Sequence, residues 1–203
     1  MVVIIDYNVG NLKSVENAFK RIGMDTVVSR DHDVIRQADG IVLPGVGTFP
    51  VAMGNLEKYD LIDILNERKQ AGVPILGICL GMQILFEKGT EVKDTKGLGF
   101  LKGEVSLMKV DAKIPHMGWN ELIKNQNHPL LKDIKDNDYV YFVHSFMAYP
   151  RDDELVAYCE YGGRKITAVA AKDNVMGCQF HPEKSGEVGK KILLAFKEMV
   201  LWF

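Results

Sequence analysis

The sequence lacks the features that mark secreted, membrane-spanning or nucleic-acid-binding chains. It has three cysteines in 203 residues and no CxxC pair, which argues against a disulfide framework or a metal site. Its most apolar stretch, residues 73–86, is too short to span a bilayer. No basic segment precedes the first apolar run, so a secretory signal is not expected. A net charge of −2 argues against binding to nucleic acid or anionic membranes. We therefore expect a reduced, cytoplasmic protein.

Strand-like and helical patterns alternate along the first half of the chain. The strand-like apolar runs cover residues 2–5, 26–29, 40–43 and 73–78. Helical spacing predicts a helix from Leu12 to Ile22, one around Leu61 to Arg68, and one that starts over 82–88. This alternation is typical of a parallel sheet with helices on both faces, in which ligands bind beyond the carboxyl ends of the strands.

The second half is richer in strands. The predicted strands are residues 105–110, 139–144, 155–160, 166–170 and 175–180, and a last helix starts near Glu187. No linker or internal repeat divides the chain. We therefore predict an α/β fold in a single domain over residues 1–203, with a largely parallel central sheet flanked by helices and extra strands in the second half.

A candidate nucleophile follows the fourth predicted strand. Gly77-Ile78-Cys79-Leu80-Gly81 has the form G-x-nucleophile-x-G, which presents a nucleophile at a strand-to-helix turn. The tight turn requires neighbours without bulk. A helix that begins here would favour a thiolate, and the N–H of Leu80 could bond an oxyanion. The alternative is that Cys79 is a small buried apolar residue.

His181-Pro182-Glu183 directly follows the last predicted strand. Residues two apart in extended backbone point to the same side, and Pro182 favours that geometry for His181. Glu183 could then hold the imidazole tautomer and stabilise the imidazolium. Alone this tripeptide fits a solvated loop equally well. It indicates a catalytic histidine because it occurs together with the cysteine turn at the same sheet edge.

The other two cysteines and a third glycine-containing turn each have a simpler interpretation. Cys178 and Cys159 lie in strand-like segments without a glycine turn, so we expect Cys178 to be packed in the core and Cys159 to be packed in the core or partly exposed. Pro44-Gly45-Val46-Gly47 ends another strand but matches no phosphate-binding motif. A second oxyanion donor, from Val46 or Gly47, fits better than a phosphate cradle, with a plain turn as the alternative.

With these three motifs in order, the chain resembles the class I (triad) glutamine amidotransferases, whose fold is flavodoxin-like. Within that class it is most similar to the glutaminase subunits of imidazole glycerol phosphate synthases. The closer resemblance rests on Pro115-His116-Met117-Gly118-Trp119-Asn120, on Tyr141-Phe142-Val143-His144-Ser145 and on Asp6-Tyr7-Asn8-Val9-Gly10-Asn11. It covers essentially the whole chain.

The resemblance implies hydrolysis of glutamine by a Cys79, His181 and Glu183 triad, with ammonia delivered to a cyclase subunit in histidine biosynthesis. That cyclase is a (βα)₈ barrel and forms a heterodimer with the glutaminase; no cofactor is implied. Matching positions imply that Gly47, Gln83, His144 and Ser145 hold the substrate. Surface placement for Gln83 and a satisfied core histidine for His144 remain the simpler readings. The partner interface would include Asn11, Trp119 and Asn120, although Trp119 alone would be read as core.

Other functions stay open on the sequence alone. The chain could serve another synthase, such as an anthranilate-type or sugar-modifying enzyme. A related fold with a cysteine in this turn could also be a peptidase or small-molecule hydrolase, which would turn over peptides or esters. A non-catalytic scaffold subunit is the third possibility, and it predicts an unreactive Cys79.

Overall fold

The computed structural model describes residues 1–202 and has one long central sheet. The strands are β1 Val2–Ile5, β2 Thr26–Ser29, β3 Gly40–Leu43, β4 Ile75–Ile78, β5 Lys88–Gly89, β6 Thr95–Lys96, β7 Gly103–Leu107, β8 His116–Glu121, β9 Ile123–Lys124, β10 Tyr139–His144, β11 Phe146–Pro150, β12 Leu155–Tyr161, β13 Arg164–Lys172 and β14 Val175–Cys178. The helices are α1 Leu12–Arg21, α2 His32–Arg36, α3 Phe49–Lys58, α4 Leu61–Gln70, α5 Leu80–Gln83 and α6 Gly186–Leu201.

The central sheet changes from parallel to antiparallel along its width. Its eight strands lie in the order β2-β1-β3-β4-β14-β13-β12-β9. The first five strands in that order are parallel, and β13, β12 and β9 continue the sheet as antiparallel partners. Because β4 and β14 are parallel neighbours, with Ile78 opposite Cys178, the residues that follow these strands emerge side by side at one edge.

Two smaller sheets lie outside the central one. β8 and β10 form an antiparallel ribbon, and β11, β7, β5 and β6 form a four-stranded sheet. Apolar side chains on the two faces of the central sheet build two core clusters. Of the parallel strands, β1, β3, β4 and β14 are buried throughout, as a sheet covered on both faces requires, whereas the edge strand β2 is partly exposed.

Local sequence explains where several helices begin. Asn11 caps α1, because its side-chain oxygen accepts a hydrogen bond from the N–H of Ser14 at 3.2 Å. Asp31 caps α2 in the same way. Val15 and Phe19 bury one face of α1.

None of the helices within residues 1–202 combines the length and the apolar composition needed to cross a membrane.

The predicted architecture is confirmed, but several elements differ from their predictions. The helix predicted over 82–88 is wrong: α5 ends at Gln83, and the chain then turns to pair Lys88 and Gly89 with β6 and β7. Helices α2 and α3 and strands β5, β6, β8, β9 and β11 were not predicted. Helix α2 and strands β5, β6, β9 and β11 have five residues or fewer, and β8 carries glycine and polar residues that obscure strand periodicity. Helix α3 contains Pro50 and Gly54, which weaken a helical pattern.

Candidate active site

Cys79 lies in a strained turn between β4 and α5. Its backbone has φ 55° and ψ −112°, a region that non-glycine residues rarely occupy and that is stabilised here by the surrounding structure. Its N–H donates to the carbonyl of Cys178 on β14 at 2.7 Å. The turn predicted from the G-x-C-x-G motif is therefore present, and it is tied directly to the strand that carries the histidine.

Two glycines make this turn possible. A β-carbon on Gly81 would lie 1.7 Å from the carbonyl oxygen of Leu43, and one on Gly77 would lie 2.5 Å from the carbonyl oxygen of Gly81. Both clashes are with backbone, which cannot move aside. Glycine is needed at both positions because strand β4, the turn and the end of β3 approach each other backbone to backbone.

The helix that follows Cys79 is shorter than expected. Helix α5 contains only four residues, Leu80–Gln83, so its dipole is a small fraction of that of a full helix. The expectation that a helix start alone would stabilise a thiolate is therefore weakened. Stabilisation of negative charge on the sulfur falls mainly to the imidazole described next.

His181 and Glu183 form a buried pair after β14. Nδ1 of His181 lies 2.7 Å from Oε1 of Glu183, and both side chains are about 3% exposed. The fully extended geometry expected for this tripeptide is wrong, because residues Pro182–Lys184 form a 3₁₀ turn. His181 itself is extended, with φ −100° and ψ 97°, and the turn brings the glutamate back under the ring.

The pKa of His181 is raised to about 9. Burial lowers this pKa, but interactions with the Cys79 sulfur and with Glu183 outweigh it. Nε2 of the ring is buried and has no hydrogen-bond partner of standard geometry among the described residues. With Nδ1 held by Glu183, Nε2 is the ring atom left free to exchange a proton with the nucleophile.

Cys79 and His181 line one cavity of about 310 Å³. It also brings together the predicted residues Val46, Gly47, Leu80, Gln83, His144 and Ser145. The N–H groups of Val46, Gly47 and Leu80 donate no hydrogen bond to protein among residues 1–202. Free backbone N–H groups beside a nucleophile are what an oxyanion hole requires.

Two polar side chains near the nucleophile are not among the residues predicted from the sequence. Glu91 lines the cavity, with Oε2 accepting from the N–H of Phe49 at 2.8 Å. Gln179 is fully buried, and its Nε2 lies 3.7 Å from Sγ of Cys79. Gln179 directly precedes the Phe-His-Pro-Glu segment, and this proximity was the available signal. Nothing in the local sequence brings Glu91 to the cavity, because it lies in an irregular loop.

Comparisons with known proteins agree with this geometry. The sequence model described as "Glutamine amidotransferase class-I" matches residues 3–199. The imidazole glycerol phosphate synthase subunit HisH of Lactococcus lactis is 59% identical over 199 residues, with 98% of each chain covered. The same subunit of Bacillus cereus is 50% identical, with 98% of this chain and 95% of the relative covered. The chain belongs to the class-I glutamine amidotransferase family. The resemblance inferred from the motifs is confirmed.

Solved structures share the family fold. One described as a crystal structure of glutamine amidotransferase superposes with a TM-score of 0.78 at 17% identity, covering 98% of this chain and 99% of the other. PurLQS from Thermotoga maritima gives 0.75 at 21% identity, covering 98% and 97%. At these identities the likeness shows the fold alone, and it confirms the predicted fold class.

Two of the four candidate substrate residues, Gln83 and His144, are less free than a binding role suggests. Nε2 of Gln83 donates to the carbonyl of Phe146 and to Oε1 of Gln179, each at 3.0 Å. His144 has both ring nitrogens occupied, by His116 at 3.0 Å and by the carbonyl of Phe146 at 2.8 Å. Gln83 therefore has only its oxygen left for a ligand, and His144 contributes a ring surface to the cavity.

The three candidate interface residues differ in exposure. Trp119 is 56% exposed on the β8–β10 ribbon and packs edge-on against Tyr141. Asn11 is exposed at the start of α1. The side chain of Asn120 faces inward instead: its Nδ2 donates to the carbonyl of Glu160 at 3.0 Å, and its Oδ1 accepts from the next backbone N–H. The structure thus leaves Trp119 and Asn11 free at the surface.

The other two cysteines are core residues, as predicted. Cys159 and Cys178 are completely buried. Burial raises the pKa of Cys159 to about 12 and raises that of Cys178 further, so both remain thiols at neutral pH. Of the three cysteines, only Cys79 lines the cavity.

Proposed function

We propose that this chain is the glutaminase subunit of an imidazole glycerol phosphate synthase, with Cys79, His181 and Glu183 as its catalytic triad. It hydrolyses glutamine to glutamate and ammonia. The observation that carries the proposal is the shared cavity, where Cys79 in its strained turn meets an imidazole buttressed by a buried carboxylate. As part of the same proposal, the chain is a single glutamine amidotransferase domain over residues 1–203.

The first half-reaction forms a thioester. The Cys79 thiolate, paired with the His181 imidazolium, attacks the side-chain amide carbon of glutamine. The carbonyl oxygen becomes an oxyanion, which the N–H of Leu80 and an N–H of Val46 or Gly47 receive; one such donor contributes about 3 kcal/mol. His181 then gives its Nε2 proton to the departing nitrogen, the C–N bond breaks, and ammonia leaves. Glu183 keeps Nδ1 protonated and the ring oriented throughout.

The second half-reaction releases glutamate. His181, now neutral, takes a proton from water as the water attacks the thioester carbon. The same backbone N–H groups receive the second oxyanion. The C–S bond breaks, glutamate is released, and the thiolate–imidazolium pair is restored. Acid–base catalysis of this kind contributes about 10²–10⁴-fold. The scheme uses only side chains and backbone groups of this chain, so it requires no cofactor.

Polar groups in the cavity suit the amino-acid end of glutamine. The Glu91 carboxylate would pair with the α-ammonium group, and the free oxygen of Gln83 would accept from it. Gly47 and Ser145 would contact the α-carboxylate, and the ring of His144 would form the adjoining wall. A substrate without the α-ammonium group would leave Glu91 unpaired in the cavity, which selects for an amino acid over a simple amide.

The chemistry of ammonia implies a partner. Ammonia released into neutral water becomes ammonium, which is not a nucleophile, so it must pass through a sheltered path to a second active site. We propose a heterodimer with a (βα)₈-barrel cyclase of histidine biosynthesis. The docking face would include Asn11 and Trp119, and aromatic residues such as Trp119 are enriched at interfaces. A cytoplasmic location suits an enzyme whose thiol must stay reduced.

Substitution of the nucleophile tests the reaction. Cys79→Ala is expected to abolish release of glutamate from glutamine, while the far-UV circular dichroism spectrum stays unchanged. Cys159→Ala removes a core thiol away from the cavity and is the matched control, expected to retain turnover. Glutamine turnover by purified Cys79→Ala would refute the proposal.

The partner claim has a separate test. Adding a purified barrel cyclase is expected to increase glutamine turnover and to form a 1:1 complex on gel filtration. Trp119→Ala should weaken that complex without unfolding the chain. Equal turnover with and without the cyclase would overturn the coupling while leaving the glutaminase assignment standing.

A further inference from the structure

Gln179 is a buried amide in contact with the nucleophile. It follows β14, is completely buried, and touches two groups of the cavity. On one side its carboxamide lies 3.0 Å from Nε2 of Gln83; on the other it lies 3.7 Å from Sγ of Cys79, within the range of a hydrogen bond to sulfur. A buried carboxamide whose two ends have different neighbours raises the question of which end faces the sulfur.

One backbone carbonyl settles the orientation of both amides. The carbonyl of Phe146 can only accept, and the Gln83 carboxamide lies 3.0 Å from it, so Nε2 of Gln83 must face it. The second hydrogen of that nitrogen points to Gln179, which must present its oxygen. The amino group of Gln179 is thereby left facing the Cys79 sulfur.

Beyond the Phe146 carbonyl, the hydrogen bonds continue to two buried histidines, whose donors and acceptors can also be assigned. Burial lowers the pKa of His116 and of His144 to about 4, so both rings are neutral at pH 7. The ring of His144 donates from Nδ1 to the Phe146 carbonyl, leaving Nε2 to accept from Nδ1 of His116.

Asn120 closes the network at its distal end. Its Nδ2 is anchored by the Glu160 carbonyl and lies 3.3 Å from Nε2 of His116. Two independent backbone anchors, the carbonyls of Phe146 and Glu160, therefore give one consistent set of donors and acceptors, with no conflict at any atom.

We propose that Gln179 is a positioning residue whose amide N–H donates a hydrogen bond to the Cys79 sulfur, and that this orientation is imposed through Gln83 by the Phe146 carbonyl. The inference rests on the proposed function, for which the thiolate is the reacting form. A donor at the sulfur stabilises the thiolate relative to the thiol and holds its lone pairs toward the cavity. It acts through Cys79 and need not touch the substrate.

Thiol alkylation measures this effect without glutamine. The rate of modification of Cys79 by iodoacetamide is followed against pH in the full-length chain, with Cys79→Ala as the background. In Gln179→Met the donor is lost at nearly constant volume. The alkylation midpoint is expected to rise by about half to one pH unit, and kcat for glutamine to fall about tenfold. Asn174→Ala, which removes a carboxamide bonded to Lys69 and Val73 at the opposite end of the sheet, is expected to leave both unchanged.

Each outcome decides the matter. A raised midpoint in folded Gln179→Met supports the proposal, and an unchanged midpoint overturns it. If Gln179→Met does not fold, Gln179→Asn, whose shorter amide cannot reach the sulfur, is judged by the same criterion. Wild-type turnover is measured in the same preparations with the barrel cyclase added. Its absence would sink the glutaminase assignment, whereas normal turnover with an unchanged midpoint would sink only the role of Gln179.

Discussion

The two neighbouring strands β4 and β14 hold their reacting groups by different means. After β4, Cys79 is fixed by the path of the backbone, with glycines at Gly77 and Gly81 where chains nearly touch. After β14, His181 is fixed by hydrogen bonds: its N–H donates to the carbonyl of Tyr141, its carbonyl accepts from the Ser185 hydroxyl, and its Nδ1 donates to the Glu183 carboxylate. A clash between backbone atoms cannot be relieved by a small movement, whereas a hydrogen bond can be removed while the neighbouring residues stay in place. Substitutions of the glycines should therefore cost the most stability, whereas substitutions after β14 should cost less stability or, at Glu183, mainly alter proton transfer.

The largest effect is expected for Gly81→Ala. Its β-carbon would lie 1.7 Å from the carbonyl oxygen of Leu43, so either β3 or the cysteine turn must move. We expect a loss of at least about 4 kcal/mol in the free energy of unfolding, measured by urea denaturation, or failure to fold.

Gly54→Ala is the matched control for that comparison. Gly54 lies inside α3 with open space around its α-carbon, so alanine should stabilise the chain by up to about 1 kcal/mol. Equal stability of the two variants would show that the close backbone approach does not constrain the turn.

Glu183→Gln tests the hydrogen-bonded histidine segment that follows β14. The amide keeps the shape of the side chain but removes the charge that helps to raise the pKa of His181 to about 9. We expect kcat to fall by about 10²–10⁴-fold and the His181 pKa, followed by NMR, to fall below the wild-type value. The far-UV spectrum should not change. A variant with wild-type kcat would remove Glu183 from the mechanism.

Ser185→Ala should have a smaller effect in the same region. The Ser185 hydroxyl donates to the carbonyl of His181 at 2.6 Å and accepts from the N–H of Tyr141 at 3.0 Å, joining β10 to the histidine segment. Loss of both bonds at a buried site should cost about 2–3 kcal/mol of unfolding free energy. Ser106→Ala, on β7, removes a hydroxyl that makes no hydrogen bond to another residue within 1–202 and should change stability by less than about 0.5 kcal/mol. Similar losses in the two variants would contradict the role given to Ser185.

Sequence predicted the parallel half of the fold well, because its signals are local. Short apolar runs marked β1, β2 and β3 at their observed bounds, and the glycines around Cys79 indicated the turn. The triad could be assembled from two motifs because both follow neighbouring parallel strands. The position of a reacting group is readable from sequence when adjacent residues determine it.

The rest of the site depends on contacts that are distant in the chain. Gln179 meets Cys79 across 100 residues, and Gln83 meets Gln179 across 96. Strand β8 carries Gly118 at φ 131° and polar residues on its inner side, so its periodicity did not predict a strand. The resemblance implies an interface position for Asn120, and its inward hydrogen bond to the Glu160 carbonyl is not visible in the sequence, because alternate residues of a strand face opposite sides.

The smallest effect is expected in the pH dependence of stability, and it concerns the histidine pair of the β8–β10 ribbon. Folding lowers the pKa of His116 and His144 from the ordinary 6.5 to about 4. As pH falls below 6.5 the unfolded chain takes up these protons first, so stability is lost between pH 6.5 and pH 4. Each histidine should account for about 2 kcal/mol of unfolding free energy between pH 7 and pH 5.

His116→Gln tests the contribution of His116 to the pH dependence of the unfolding free energy. The glutamine carries no proton equilibrium, so its unfolding free energy should fall less between pH 7 and pH 5 than that of the wild type, by about 2 kcal/mol. Comparing the two proteins at both pH values cancels the cost of the lost packing against Phe142 and Tyr161. His181 opposes the trend in both proteins equally, because its raised pKa gives stability that is complete below pH 6.5 and lost as pH rises toward 9. Parallel pH profiles would mean that His116 is not held neutral, and the assignment of its ring as donor to His144 and acceptor from Asn120 would then fail.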